Sequence, residues 1–180
     1  SIRRVLDSSD LLPLDHLPES LCIIGAGVIG MEFASIFNAF GTEVTVVEFL
    51  KECLPVLDSD IAKRLRKSLE KQGVTFHMQS GVTAITEDGV VFTDKKGNSV
   101  TVNAEEVLMA VGRAARVFDH FSRAGFEYSE RTGIVVNEHL QTTVPHIYAI
   151  GDVNGRQMLA HAAEMQGIHV VNQIIGKEDH

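Results

Sequence analysis

Ser20-Leu21-Cys22-Ile23-Ile24-Gly25-Ala26-Gly27-Val28-Ile29-Gly30-Met31-Glu32 is the stretch that decides the fold. It opens on a short apolar run, turns through three glycines spaced G-x-G-x-x-G, and continues into a helix-like apolar segment reaching residue 40. Gly41 and a β-rich run over 43–48 follow, ending on Glu48. Strand, glycine turn, helix, strand and terminal acid is the plan of a dinucleotide-binding unit. Each glycine has a physical job. Gly25 lets the chain turn off the strand, Gly27 admits a pyrophosphate close to the backbone, and Gly30 lets helix and strand pack closely. The helix N-terminus offers unpaired N–H groups and a partial positive charge to phosphates. Glu48 falls close to the ~20-residue offset of the acid that accepts hydrogen bonds from the adenosine ribose. No arginine lies between Phe49 and Lys63 to hold a 2′-phosphate, and Lys51 is the nearest base, so NAD is favoured over NADP.

The chain has 180 residues, enough for one good core or one and a half small domains. Hydrophobic residues make up 44%, which places it among globular proteins. A net charge of −8 argues against a nucleic-acid surface. The basic cluster Lys63-Arg64 and Arg66-Lys67 is expected to be the solvated face of a helix whose apolar face is Ile61, Leu65 and Leu69. No apolar run is long enough for a membrane span. Cys22 and Cys53 form no C-x-x-C, which suits a reducing compartment; Cys22 reads as a core thiol and Cys53 as a loop residue. No zinc-binding pattern occurs, and no metal site is expected. A chain opening on Ser1 instead of Met is expected to be processed or excised.

Along the chain, residues 1–19 read as an irregular lead-in. Asp58-Ser59-Asp60 caps a helix running to about Lys71, and 75–78 reads as a third parallel strand. Short β-runs over 81–86, 89–93 and 99–102 are separated by Glu87-Asp88 and Lys95-Lys96-Gly97-Asn98. They predict an antiparallel meander in place of a crossover helix. A strand over 106–110 ends at Val111-Gly112-Arg113. Beyond it, 133–137 and 146–150 look like strands and 157–175 like a helix. The fold class is α/β: a Rossmann-type domain over 20–113 with a parallel sheet and β-meander crossover, then a segment over 114–180.

Taken together, these stretches resemble the pyridine nucleotide–disulfide oxidoreductases, and within them the dihydrolipoyl dehydrogenase branch. The resemblance is carried by 24–32, by 44–49 with Leu54-Pro55 and Leu57-Asp58, and by Ala110-Val111-Gly112-Arg113. Thr143-Val144-Pro145-His146-Ile147-Tyr148-Ala149-Ile150-Gly151-Asp152-Val153 resembles the family's second flavin motif. Met158-Leu159-Ala160-His161, with Ala163 and Gly167, resembles the helix after it. The family's upstream flavin turn, its redox C-x-x-x-x-C and its His-Glu interface pair are not in this sequence. The usual Arg-Pro-Asn is replaced, since Arg113 leads into Ala114-Ala115-Arg116. The resemblance therefore implies the middle of such an enzyme: an NAD domain and the trailing, incomplete part of an FAD domain.

What the resemblance implies for the site is specific. Gly25, Ala26, Gly27, Val28, Ile29, Gly30, Met31 and Glu32 would wrap NAD, with Glu48, Val82 and Gly112 completing its site. Glu32 would lie near the nicotinamide; the alternative is a helix-start carboxylate stabilised by the dipole. Asp152 would bind the ribityl chain of FAD, and Met158, Leu159, Ala160 and His161 would line the flavin. No catalytic residue is assigned in this chain, which is expected to bind nucleotide without turnover. The parent would oxidise dihydrolipoamide through a disulfide and FAD to reduce NAD, as a homodimer associated with a 2-oxo acid dehydrogenase complex. Its expected location is cytoplasmic, or the mitochondrial matrix in a eukaryote. Other readings stay open: an NADH oxidase or disulfide reductase branch, or a non-catalytic NAD-binding module. A short-chain dehydrogenase is excluded, because Thr132 and Asp152 stand where Tyr128 and Tyr148 would need a lysine.

Overall fold

The computed structural model describes residues 4–87, 89–118, 123–129 and 131–177. Asp88, half of one expected turn, lies outside the described residues. The chain divides into two compact units, Ser1–Gly112 and Arg113–His180.

The first unit is built on a five-stranded parallel sheet. Its strands are β1 (Arg4–Leu6), β2 (Ser20–Ile24), β3 (Glu43–Val47), β4 (Thr75–His77) and, after the meander, β8 (Glu106–Met109). Their spatial order is β1-β8-β2-β3-β4. Between β4 and β8 run β5 (Gly81–Thr86), β6 (Gly89–Thr93) and β7 (Ser99–Val102), which pair antiparallel as the expected meander. Three helices accompany the sheet: α1 (Ser8–Leu11), α2 (Val28–Ala39) and α3 (Ser59–Lys71).

Strand alternation sorts the side chains into two cores. Leu21 and Ile23 of β2, Val44 and Val46 of β3 and Leu108 of β8 join Leu11, Ala34, Phe37 and Leu69 from the helices. Cys22, Ile24, Val47 and Val107 point the other way, onto Val90 and Phe92 of the meander. Both faces of the sheet are thereby covered, which is why these strands read as continuous apolar runs.

Two expectations about the first unit need correction. The lead-in is not irregular. Its residues 4–6 pair with β8 (Arg4↔Glu106, Val5↔Val107, Leu6↔Leu108), and Leu6 and Leu11 are core residues. On α2, Val28 and Ile36 are exposed, as is Phe40 at its C-cap. On α3 the inward positions are Ala62 and Leu69, while Ile61 and Leu65 are exposed.

The second unit is small. Its core comprises Phe126, Ile134 and Ala149 with partly buried Val136, Val144 and Ile147. A two-stranded pair, β9 (Tyr128–Ser129) and β10 (Gly133–Ile134), replaces the longer strand expected over 133–137. The strand expected over 146–150 is absent; Tyr148 makes one isolated bridge to Gln141. A 3-10 turn, Gly151–Asn154, precedes α4 (Ala160–Ile174), of which only Val170 is buried. Among the described residues, no helix is long and apolar enough to cross a membrane.

Candidate dinucleotide-binding site

At the carboxyl end of β2 the chain is pinned on both sides. The Gly25 N–H donates to the Val47 carbonyl at 2.9 Å, and the Ala110 N–H donates to the Ile24 carbonyl at 2.8 Å. Gly25 has φ +103°, and a Cβ there would stand 2.4 Å from the Ala110 oxygen. Gly30 is tighter still, since its Cβ would fall 2.0 Å from the Gly25 oxygen and 3.3 Å from Ile23 Cγ2. Gly27 differs from both. It is the N-cap of α2, has an ordinary φ of −73°, and a Cβ on it would meet nothing within 4 Å. Two of the three glycines are thus required by the fold itself, while the space over Gly27 is open.

Glu48 sits at the end of β3, 8% exposed. One carboxylate oxygen, Oε2, accepts from the Ala26 N–H at 2.6 Å, and Oε1 accepts from the Leu50 N–H at 2.7 Å. Its backbone continues the register, donating to His77 and accepting from the Ser80 N–H at 2.8 Å. The Ala26 carbonyl in turn accepts from the Leu54 N–H at 2.9 Å. The acid is therefore wired into the glycine turn before any ligand is considered.

A cleft of about 610 Å³ opens over this framework. It brings together Gly25, Gly27, Glu48, Val82 and Gly112. Ala26, Val28, Ile29, Gly30, Met31 and Glu32 are not on its wall. Ala26, Gly30 and Met31 are buried, whereas Glu32 is exposed in the second turn of α2. That position is beyond the first turn, where the helix dipole acts, so the dipole account of Glu32 loses its basis. Sequence reasoning missed Phe49, Pro55, Ser80 and Val111, which also line the cleft. An aromatic directly after the acid, Phe49, was the available signal, and the structure leaves it 76% exposed.

Both thiols are shielded. Burial pushes Cys22 up to about 12 and Cys53 up to about 11, and Cys53 Sγ donates to the Ala62 carbonyl at 3.4 Å. Neither is a thiolate at neutral pH.

The residues expected to touch flavin lie in the second unit. Asp152 is exposed in the 3-10 turn; Met158 is half-buried; Leu159 caps α4, with Ala160 and His161 in its first turn, all three exposed. Leu159 and His161 border an 850 Å³ depression, to which Asp152, Met158 and Ala160 do not contribute. Gln166 ties the turn to the helix: its Oε1 accepts from the Gly151 N–H at 2.8 Å and from Asn154 Nδ2 at 2.9 Å. No spacing rule in the sequence pointed to that link.

Residues 1–167 match the family described as pyridine nucleotide-disulphide oxidoreductase. The chain belongs to this family. It is 40% identical over 173 residues to the dihydrolipoyl dehydrogenase of Acholeplasma laidlawii, covering 95% of this chain and 50% of the relative. It is 42% identical over 167 residues to that of Mycobacterium tuberculosis (strain ATCC 25618 / H37Rv), covering 91% and 36%. The HOCl-induced flavoprotein disulfide reductase RclA from Escherichia coli, as its Cu(II) complex, superposes with a TM-score of 0.86 at 33% identity, over 99% of this chain and 41% of the other. The chain thus spans half or less of the length of these family members.

Proposed function

We propose that this chain is the NAD(H)-binding central part of an FAD-dependent, dihydrolipoyl dehydrogenase-like oxidoreductase. Residues 20–113 form the NAD domain and 114–180 the trailing part of the FAD domain. The observation that carries the reading is the open space over Gly27 at the head of α2, beside a buried strand-end carboxylate. A pyrophosphate fits there, because backbone N–H groups converge on a spot no side chain fills. Gly25, Gly27 and the first turn of α2 would hold the phosphates. Glu48 keeps acceptor capacity beyond its two backbone bonds, since a carboxylate offers about four lone-pair sites. It would accept from the adenosine ribose hydroxyls and repel a 2′-phosphate. Val82 and Gly112 would border the remainder of the ligand.

When bound, NAD would supply the hydride acceptor of the parent reaction; the residues of this chain bind and orient it. Asp152 and 158–161 fit a flavin only in part, because they present an exposed face instead of an enclosed site. Disulfide exchange cannot run on Cys22 or Cys53, whose thiols are buried. The dihydrolipoyl dehydrogenase branch is supported by relatives of that name at 40% and 42% identity. A homodimeric parent, association with a 2-oxo acid dehydrogenase complex and a reducing cytoplasmic or matrix compartment belong to the same proposal.

Titration calorimetry with NADH and NADPH tests the reading. The chain is expected to bind NADH more tightly, and Glu48→Ala to bring the two affinities toward equality, beyond a loss common to both nucleotides from freeing the Ala26 and Leu50 amides. A wild-type preference for NADPH would overturn the ribose assignment.

A further inference from the structure

We infer that Arg66, on α3 and outside the cleft, is a positioning residue for the glycine turn, acting through Glu52 and the amide of Leu54. The inference rests on the dinucleotide reading above and adds a residue that no motif marks.

The connection can be followed bond by bond. Arg66 grips Glu52 with two parallel bonds, Nε to Oε1 at 2.7 Å and Nη2 to Oε2 at 3.0 Å. A planar fork of this kind fixes direction as well as distance. Glu52 Oε1 also accepts from the Cys53 N–H at 3.0 Å, so the carboxylate holds the start of its own turn. Cys53 is buried, and its Sγ bonds the Ala62 carbonyl one helical turn before Arg66. The next residue, Leu54, is also buried and is held at φ +50°, a left-handed conformation that a leucine adopts only when its surroundings impose it. In that conformation its N–H donates to the Ala26 carbonyl at 2.9 Å.

Ala26 is therefore held through both of its flanking peptide groups, the 26–27 carbonyl by Leu54 and the 25–26 N–H by Glu48 Oε2 at 2.6 Å. Ala26 stands between the two glycines that shape the phosphate cradle. Holding its carbonyl and N–H fixes the plane from which the following N–H groups project. Pro55, next after Leu54, lines the cleft, so the same turn also sets part of its wall. Arg66, expected on the solvated basic face of α3, is instead half-buried beside the inward residues Ala62 and Leu69, with its side chain 16% exposed. Its separate bond to Glu70 Oε1, 2.5 Å, stays on α3 and supplies an internal control.

The experiment uses the full chain and five proteins: wild type, Glu52→Gln, Arg66→Gln, the double variant, and Glu70→Gln. NADH affinity, thermal midpoint and amide exchange at Leu54 are read for each. Each single variant of the Glu52–Arg66 pair is expected to weaken NADH by about five- to tenfold and to speed Leu54 exchange about tenfold, with Ile23 exchange unchanged. The double variant should lose no more than either single one, because the two residues act as a unit. Glu70→Gln should stay within about twofold of wild type. Unchanged affinity in Arg66→Gln, multiplying losses in the double variant, or an equal loss in Glu70→Gln would each overturn the positioning role. Failure of the wild-type chain to bind NADH is a different result, and overturns the dinucleotide reading itself.

Discussion

The three glycines of the turn look alike in sequence but differ in what limits them. Gly30 is bounded by backbone, the Gly25 oxygen, which cannot step aside. Gly30→Ala is expected to cost about 1–3 kcal/mol or more of unfolding free energy in urea, whether or not nucleotide is present. Gly27→Ala is expected to leave stability within about 1 kcal/mol of wild type, since alanine is only a poorer N-cap. Its methyl group would project into the open space, so NADH affinity should fall about tenfold or more. A Gly27→Ala protein that binds NADH as tightly as wild type would move the ligand off the turn. The spacing of these glycines was legible in sequence because it encodes steric need. Glu48 was legible as an acid at a strand end. Its two hydrogen bonds, accepted from the Ala26 and Leu50 amides, were not, because a carboxylate's backbone partners depend on how two loops meet.

At the scale of elements, the ion pair between the 50–58 loop and α3 gives a pH signature. The Arg66 guanidinium beside Glu52 holds its carboxyl down at about 2, below the ordinary 4.5. A carboxyl depressed in the folded state contributes stability that is present above pH 4.5 and is lost as pH falls toward 2. The stability difference between wild type and Arg66→Gln should therefore be largest near neutrality and shrink below pH 4.5. Urea unfolding at pH 6, 4 and 3 measures it; a gap that widens on acidification would contradict the pairing. Strands β2, β3 and β8 and the three meander strands were readable because each has at least four residues and adjoins a turn sequence; the three-residue β4 was readable because the helix stop Gln72-Gly73 precedes it. Residues 4–11 were not, because a three-residue strand and a four-residue helix are too short to show a period. Residues 146–150 misled for the opposite reason. Their alternation is real, but Ile147 and Ala149 use it to enter a small core and not a ladder.

On the scale of the whole molecule, the two units differ in what stabilises them. The first has a sheet covered on both faces; in the second, the described core cluster has three buried residues, and α4 leaves Met165, Val171 and Ile174 exposed. Amides at 147 and 149 are expected to exchange faster than those at 21–24 and 44–47, because local opening costs less where few apolar contacts are broken. Slower exchange at 147 and 149 would reverse the ranking. The sheet order carries a consequence for how the chain is made. β8 is the last strand of its sheet in sequence, yet it lies between the first two in space. On a ribosome, β1 therefore lacks its sheet partner, and β2 has β3 on one edge only, until residue 109 has been added. At ~5–20 residues per second that interval is about 4–17 s after residue 24. Throughout it, the edge of β2 that will receive β8 presents unpaired backbone N–H and C=O groups to any passing strand, which is a task for a chaperone.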